Sequence, residues 1–368
     1  MATAIKDFIK EPARVKEYIR DIKDLLEERS LGLAGIKEAM TVVENVTKET
    51  EFGYYGHTEG VTRKDTGCGM AAVPFSIPVR TGWWDPKALR VKIKQCYADF
   101  EKSILQWCNV KGIDKIHIDG DQFVVFLASQ LEKTINADFN KFAYFGDTQA
   151  SNVGSGSGNE ELTVGVEKEN YNVLNGLFAS FQSFITSDPS KRVIINENAQ
   201  ATFAAQKALA RDTAFKACTE LLDKADGLTF ADGSEPIFLM TYSMAVNLSR
   251  YLRSEYKNEE TLTKMESGYE TMTFEGFKVV THRWFDHIIQ RDFSNGTKWH
   301  NPHRIILLDK SECQLGVDSL GSLSNLDIEY IGGDDEHVYI KAAYNEYFNR
   351  FSEICKTPTS GPKTGPQS

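Results

Sequence analysis

Apolar residues recur at helical spacing near the start of the chain, within a segment that is otherwise rich in charge. The pattern predicts an amphipathic helix over Glu11–Arg29, with Pro12 suited to its first turn. Because only one narrow stripe is apolar, this helix must lie against the protein body or a neighbouring molecule. A second short helix is predicted over Ile36–Val43, after Gly32 and Gly35. The apolar stripe of the first helix consists of Val15, Ile19, Ile22 and Leu26.

The clearest helical pattern covers Asp121–Phe142, where apolar residues line one face. At a rise of about 1.5 Å per residue, this helix is a rod of about 33 Å, long enough to form a spine over a sheet. We expect Asp121 to cap its start and Gly146 to end it. The segment Lys87–Trp107, which follows Pro86, also has helical spacing and predicts another helix.

Residues 51–85 have a different pattern, in which glycines separate short β-favouring pieces such as Val73–Val79. Pro74 and Pro78 lie inside this piece, and proline is confined to the edges or ends of strands. The segment therefore predicts an extended two-stranded projection rather than part of a buried sheet. Three charged residues are expected near its tip, namely Arg63, Lys64 and Asp65.

The middle third of the chain alternates predicted strands and helices, which is typical of a small α/β domain. Its helices are predicted over Tyr171–Ile185, over Ala199–Lys224, and from a cap at Thr241 or Ser243 to Ser254. The predicted strands are Arg192–Ile195, Ile237–Met240, Phe277–Thr281, Arg304–Leu308 and Gln314–Val317.

The end of the chain returns to strands, predicted over Leu326–Ile331 and, with strict alternation, over Val338–Tyr344. Asp334 and Asp335 follow two glycines between them, which predicts a hairpin turn. From Thr357 onward the chain is rich in glycine and proline, and we expect a disordered tail. Taken together, the elements predict an α+β protein.

The chain has 368 residues, enough for two or three compact units, and a formal net charge of −10. This acidity argues against a protein that grips nucleic acid, because phosphate binding needs clustered cations. The apolar runs are too short to span a bilayer, and the start lacks a secretory leader, so we expect neither a membrane nor an exported protein. The six scattered cysteines favour reduced thiols.

Candidate chemistry is sparse. The glycine-rich stretch 154–158 lacks the strand and helix of a dinucleotide site, and no serine-nucleophile elbow or Cys–His pairing stands out. Four histidines occur late in the chain, and we expect them to be hydrogen-bonded locally rather than to bind a metal. The sequence thus predicts no enzyme, and no catalytic, cofactor-binding or metal-binding residue. The four are His282, His287, His300 and His303.

Three stretches resemble the major capsid proteins of tailed bacteriophages, most of all those of Bacteroidetes phages and prophages. They are WWDPKALRVKIKQCYADFEKSILQW (Trp83–Trp107), FLASQLEKTINADFNKFAYFGDT (Phe126–Thr148) and NGTKWHNPHRIILLDKSECQLGVDSLGSL (Asn295–Leu323). The likeness covers most of residues 83–350, and its motifs are packing patterns rather than a catalytic signature.

The resemblance implies the Hong Kong 97-type capsid fold. On this chain it implies a helical N-terminal arm, an extended loop called the E-loop, a peripheral domain with Asp121–Phe142 as its spine helix, and an axial α/β domain. In that order they occupy residues 1–50, 51–85, 86–189 and 190–322; residues 323–355 return to the peripheral domain, and 356–368 form the tail.

The resemblance also implies the function of the family, a shell of hexamers and pentamers that encloses double-stranded DNA without sequence-specific binding. The protein would be located in the virion, after assembly in the host bacterial cytoplasm. Its implied partners are other copies of itself, a portal, a scaffold or protease, and a decoration protein. The arm stripe and the charged tip at residues 63–65 are the predicted subunit contacts.

Two other functions stay open at this point. An encapsulin, which is a nanocompartment shell protein, shares this fold but encloses a cargo enzyme instead of a genome. A soluble metal-dependent enzyme would use the His282–His303 cluster.

Overall fold

The computed structural model describes a body that begins at Gly35 and extends, with gaps, to Ser360. The predicted helix Glu11–Arg29 and the charged tip at residues 63–65 lie outside the described residues. The described residues are 35–44, 46, 51–55, 62, 79–84, 87–88, 91–96, 106, 109–110, 120–152, 161–225, 230, 234–256, 262–265, 267–311, 313–317, 326–333, 337–344, 347–351 and 359–360.

The protein is α+β. Its α-helices in the described part are α1 (Gly120–Phe145), α2 (Leu177–Ser187), α3 (Phe203–Lys207), α4 (Thr213–Lys224), α5 (Tyr242–Glu255) and α6 (Arg283–Asp292). The early strands are β1 (Thr41–Val43), β2 (Glu51–Tyr55), β3 (Val79–Trp83), β4 (Lys87–Ala88), β5 (Val91–Cys96), β6 (Ser151–Asn152), β7 (Glu161–Leu162) and β8 (Arg192–Val193). The later strands are β9 (Pro236–Thr241), β10 (Thr263–Lys264), β11 (Glu270–Phe274), β12 (Phe277–His282), β13 (Ile305–Asp309), β14 (Gln314–Val317), β15 (Leu326–Gly333), β16 (His337–Tyr344), β17 (Tyr347–Phe351) and β18 (Thr359–Ser360).

The largest sheet belongs to an α/β lobe and has the strand order β10-β11-β12-β9-β13-β18-β8. Strands β9 and β12 are parallel, and each runs directly into a helix, α5 and α6 respectively. Strand β9 is buried from Ile237 to Thr241, and all of β13 is buried, as expected for the centre of a sheet covered on both faces. The parallel pair therefore gives the lobe a defined carboxyl end, where α5 and α6 begin.

A three-stranded sheet joins distant parts of the chain, in the order β15-β16-β5. Strand β5 precedes α1, whereas β15 and β16 follow the whole lobe, and Ile340 pairs with Ile93. The register gives this sheet one apolar face and one charged face, because residues in the same row share a face. The apolar rows include Ile328, Ala342 and Val91, and the charged row consists of Glu329, Lys341 and Lys92.

Two smaller pairings complete the sheets that bear on function. Strands β2 and β3 form an antiparallel pair, with Gly53 opposite Thr81. The two-stranded arrangement predicted for residues 51–85 is therefore present, although its second strand lies after Pro78 rather than over Val73–Val79. Strand β14 occupies Gln314–Val317 as predicted, between β1 and β17 in a four-stranded sheet.

The long central helix is confirmed, and α1 extends the predicted segment by one residue at its start and three at its end. Asp121 lies inside its first turn. Gly146 follows the last helical residue, as expected. A residue with a side chain could not fit there, because a Cβ on Gly146 would lie 2.4 Å from the main-chain oxygen of Leu174.

Two predicted helices are wrong. Only Ile36–Glu38 are helical in the segment Ile36–Val43, as a short 3-10 turn, and the β-branched residues that follow form β1 beside β14. The predicted helix Lys87–Trp107 contains β4 and β5, although Gln106 and Asn109 are helical. In β5, valine and isoleucine alternate with lysine, and this period of two fits the pairing with β16.

The predicted helix Ala199–Lys224 is broken into α3 and α4. Side chains hold the break: Glu197 accepts hydrogen bonds from the main-chain nitrogen of Ala210 and the hydroxyl of Thr213, and Asn247 donates to the oxygen of Ala210. These bonds replace the main-chain pairing that a continuous helix would supply. The second helix of the middle third also starts late, because α2 begins at Leu177 rather than Tyr171.

The predicted strands Ile237–Met240, Phe277–Thr281 and Arg304–Leu308 correspond to β9, β12 and β13, with ends that differ by one residue. Strands β15 and β16 are antiparallel and flank the predicted turn at residues 334–335. Thr359 and Ser360, which belong to the segment predicted to be disordered, form β18 between β13 and β8.

Candidate functional site

The end of α1 is fixed to the lobe by a cluster of aromatic rings, which we call the junction cluster. Tyr144 and Phe145 from α1 meet rings from α2 and α6, with centroids 4.8 Å apart for Tyr144 and Phe285 and 5.0 Å apart for Phe145 and Phe178. Several of the contacts are edge-to-face, an arrangement that aromatic quadrupoles favour. The junction cluster consists of Tyr144, Phe145, Phe178, Phe285 and Phe293, all buried.

A buried arginine lies within the junction cluster. The guanidinium of Arg304 is 4.8 Å from the ring centroid of Phe178 and 5.5 Å from that of Phe145. Its Nε donates to the main-chain oxygen of Asn301 at 2.9 Å. Ring faces and carbonyl oxygens thus surround this cation, an arrangement that suits the weakly hydrated guanidinium better than an ammonium.

Main-chain contacts reinforce the junction. The nitrogen of Gly176, just before α2, donates to the oxygen of Gly146 at 2.7 Å. A Cβ on Gly176 would lie 2.6 Å from the nitrogen of Gly146, so this close approach needs glycine at both positions. Nearby, the hydroxyl of Tyr171 donates to Asp292, which also receives two hydrogen bonds from Arg291. Burial opposes ionisation of Asp292, but these donors outweigh it and hold its pKa below the usual range.

At the carboxyl end of β9 a buried carboxylate caps a helix. Asp286, in the first turn of α6, accepts hydrogen bonds from the main-chain nitrogens of Tyr242 and Ser243 at 2.8 and 2.9 Å. Thr241 or Ser243 was the predicted cap, and the structure shows no capping bond from the side chain of Thr241. Burial raises the pKa of Asp286 to about 6, despite the lowering effect of the bonds from Ser243 and Tyr242.

A buried histidine lies beside this cap. Nε2 of His303 is 2.8 Å from the main-chain oxygen of Gln206, so this nitrogen carries the proton and Nδ1 accepts from the hydroxyl of Ser243 at 2.9 Å. Burial lowers the pKa of His303. A serine bonded to a histidine invites comparison with a hydrolase, which also needs free main-chain donors for an oxyanion. Here Asp286 occupies the nitrogens of residues 242 and 243.

The histidines predicted to bond locally include two whose bonds are described. His303 does so, and Nδ1 of His282 accepts from the main-chain nitrogen of Trp284 at the start of α6. Within the described ranges, no three His, Cys, Asp or Glu side chains come together as a metal site would require. Two cavities lined by described residues measure about 80 and about 200 Å³, below the size typical of ligand pockets. The structure thus gives the metal-dependent enzyme no support.

At the opposite end of the lobe, rings reach the surface in what we call the distal aromatic band. Contacts run from Phe230 to Phe277 at 5.4 Å, and from Phe215 to Tyr251 at 4.9 Å, with buried rings between. Sequence reasoning missed this band, because its members belong to five separate elements and loops. The band consists of Phe215, Phe230, Phe238, Tyr251, Tyr256, Phe274 and Phe277.

Comparison with known proteins gives only distant similarities. No protein-family model and no curated protein matches the chain. Among solved structures, the capsid of Myoviridae phage XM1 is 11% identical with a TM-score of 0.42, over 89% of this chain and 90% of that one. The satellite phage P4 procapsid is 9% identical with a TM-score of 0.45, over 93% and 98%. A Gordonia phage Cozz structure is 10% identical with a TM-score of 0.46, over 90% and 85%.

The predicted subunit contacts cannot be placed among the elements described above. The arm stripe at residues 15–26 and the charged tip at residues 63–65 fall outside the described residues, so both stay predictions. Free cysteines occur where their side chains are described, at Cys218 and Cys313, both buried. A search of the helices in the described part found none long and apolar enough to cross a membrane.

Proposed function

We propose that this chain is the major capsid protein of a tailed phage, built on the Hong Kong 97-type fold. The observation that carries the proposal is the pairing of β5 with β16. One sheet is thereby built from segments on either side of the lobe, with α1 and the β2–β3 pair preceding the lobe in the chain. This is the order that the sequence resemblance implies: projecting loop, spine helix, axial domain and return to the peripheral sheet.

In this proposal the lobe is the axial domain and the β15-β16-β5 sheet belongs to the peripheral domain. Copies assemble head to tail into hexamers and pentamers, because heterologous contacts close into rings. Each contact is modest alone, and the shell is stabilised by their number. The junction cluster fixes the long helix to the lobe, so that every subunit presents its contacts at a constant angle.

The net charge of −10 fits a DNA container. A shell lined with many cations would bind the phosphate backbone tightly and hinder the entry and exit of the genome. The protein therefore encloses double-stranded DNA without sequence-specific binding, in a virion assembled in the bacterial cytoplasm. Its further partners are a portal, a scaffold or protease, and a decoration protein.

The direct test is electron microscopy of the concentrated protein together with sedimentation velocity. We expect closed particles or rings of five and six subunits. A protein that stays monomeric at high concentration would refute the proposal. Nuclease treatment of particles from the native source separates a virion from an encapsulin: protected DNA is expected, whereas particles that hold a protein cargo and no DNA would favour the encapsulin.

The arm is tested separately by deleting residues 6–29. We expect the lobe to keep its thermal unfolding transition, because the junction cluster and the sheets lie outside the deleted segment. Assembly into particles should be impaired, since the apolar stripe would lose its surface on a neighbour. Normal particles from this deletion would contradict the arm's role and leave the capsid proposal intact.

A further inference from the structure

The distal aromatic band has two exposed ends on a buried base. The side chains of Tyr256 and Phe230 are 61% and 41% exposed, whereas Phe238 and Phe274 beneath them are buried. Single exposed apolar residues are common on monomers. Here the exposed rings are held in place by rings of the core, so binding a partner would cost them little conformational freedom.

Charged residues around the Tyr256 end balance one another. Arg211 pairs with Glu255 at 3.3 Å, and Lys216 pairs with Asp212 at 2.6 Å. All four side chains are at least one-third exposed, so each can also reach a partner. In a chain with a net charge of −10, two copies repel each other, and a locally neutral surface with an aromatic centre lowers that repulsion.

We propose that the distal aromatic band is a contact surface for a second copy of this chain, with Tyr256 and Phe230 as its buried anchors. The inference rests on the proposed function and deepens it, because it names a surface through which subunits meet. The junction cluster and the band lie at opposite ends of the β9–β12 pair, since Phe285 follows β12 and Phe277 begins it. One end of the lobe is thus held by the subunit's own helix and the other is available to a neighbour.

The anchors are tested with Tyr256→Ser, Phe230→Ser and the double variant, and Val164→Ser is the matched control. Val164 is 77% exposed and does not belong to the band. Sedimentation velocity across a concentration series should show that the double variant needs at least about tenfold more protein to assemble, as expected when interface anchors are truncated. Val164→Ser should assemble like the wild type, and thermal unfolding checks that each variant is folded.

The outcomes separate the two proposals. A wild-type protein that never assembles refutes the capsid function. A wild type that assembles alongside a folded double variant that assembles equally well overturns the band proposal alone.

The neutral rim gives a second test that leaves the aromatic residues untouched. Arg211→Glu makes the rim acidic and should weaken assembly at low salt, with recovery at high salt as the repulsion is screened. Adding Glu255→Arg exchanges the two charges, restores neutrality and should restore assembly at low salt. If Arg211→Glu assembles like the wild type at every salt concentration, the rim has no role and the charge argument for a second copy fails.

Discussion

The two aromatic regions of the lobe contrast in what surrounds their rings. The junction cluster is closed: its rings are buried, they surround the Arg304 guanidinium, and they come from α1 as well as from the lobe. The distal aromatic band is built from similar rings but ends in two exposed side chains. Composition alone therefore does not tell a core from a contact surface. The difference teaches that a long helix completes one end of the lobe, while the other end lacks such a cover among the described elements.

The largest effect should come from the closed region. Phe285→Ala removes a fully buried ring from the junction cluster and should lower the free energy of unfolding by about 3–5 kcal/mol. Chemical denaturation of the lobe measures this loss. A cost below about 1 kcal/mol would show that the cluster tolerates a cavity and does not fix α1.

Asp286 should give the next largest effect, through pH. Its pKa is raised from 3.8 to about 6 in the folded protein, so between these values the folded state binds the proton more tightly than the unfolded state. The stabilisation is complete below pH 3.8 and is lost as the pH rises through about 6, with a total of about 3 kcal/mol. Asp286→Asn should abolish this fall, measured as unfolding free energy from pH 4 to 7.

His303 provides the opposing control for that experiment. Its pKa is lowered from 6.5, so its contribution is complete above pH 6.5 and is lost as the pH falls. His303→Gln should therefore remove a loss of stability on the acid side, whereas Asp286→Asn removes one on the alkaline side. If both variants changed the pH profile in the same direction, the assignment of at least one group would be wrong.

The sequence predicted elements whose signal is local and missed those that depend on distant partners. Asp121–Phe142 and Gln314–Val317 have strong patterns of their own, and α1 and β14 match them closely. Residues 87–107 fit a helix and a strand equally well, and only the pairing with β16 decides. The cap of α5 comes from Asp286, more than 40 residues away, and nothing near Thr241 indicates it.

A smaller effect is expected where α1 ends. Gly176→Ala places a Cβ against the main chain of residues 144–146, and the strand of contacts there has little room to move. We expect a loss of about 2 kcal/mol, in the range of overpacked cores. Gly165→Ala is the comparison, because its surroundings are open although its φ of 91° is also unfavourable. Equal losses for the two variants would mean that backbone conformation, rather than the close approach, sets the cost.

The smallest effect on stability is expected at the distal band, and it makes the contrast quantitative. Tyr256→Ser removes a ring that is 61% exposed, so the free energy of unfolding of the isolated subunit should change by no more than about 0.5 kcal/mol. Chemical denaturation of dilute, unassembled protein measures it beside Phe285→Ala. A loss comparable to that of Phe285→Ala would mean that Tyr256 belongs to the core of its own subunit. A negligible loss leaves the ring available to be buried elsewhere, which a surface for a neighbouring copy requires.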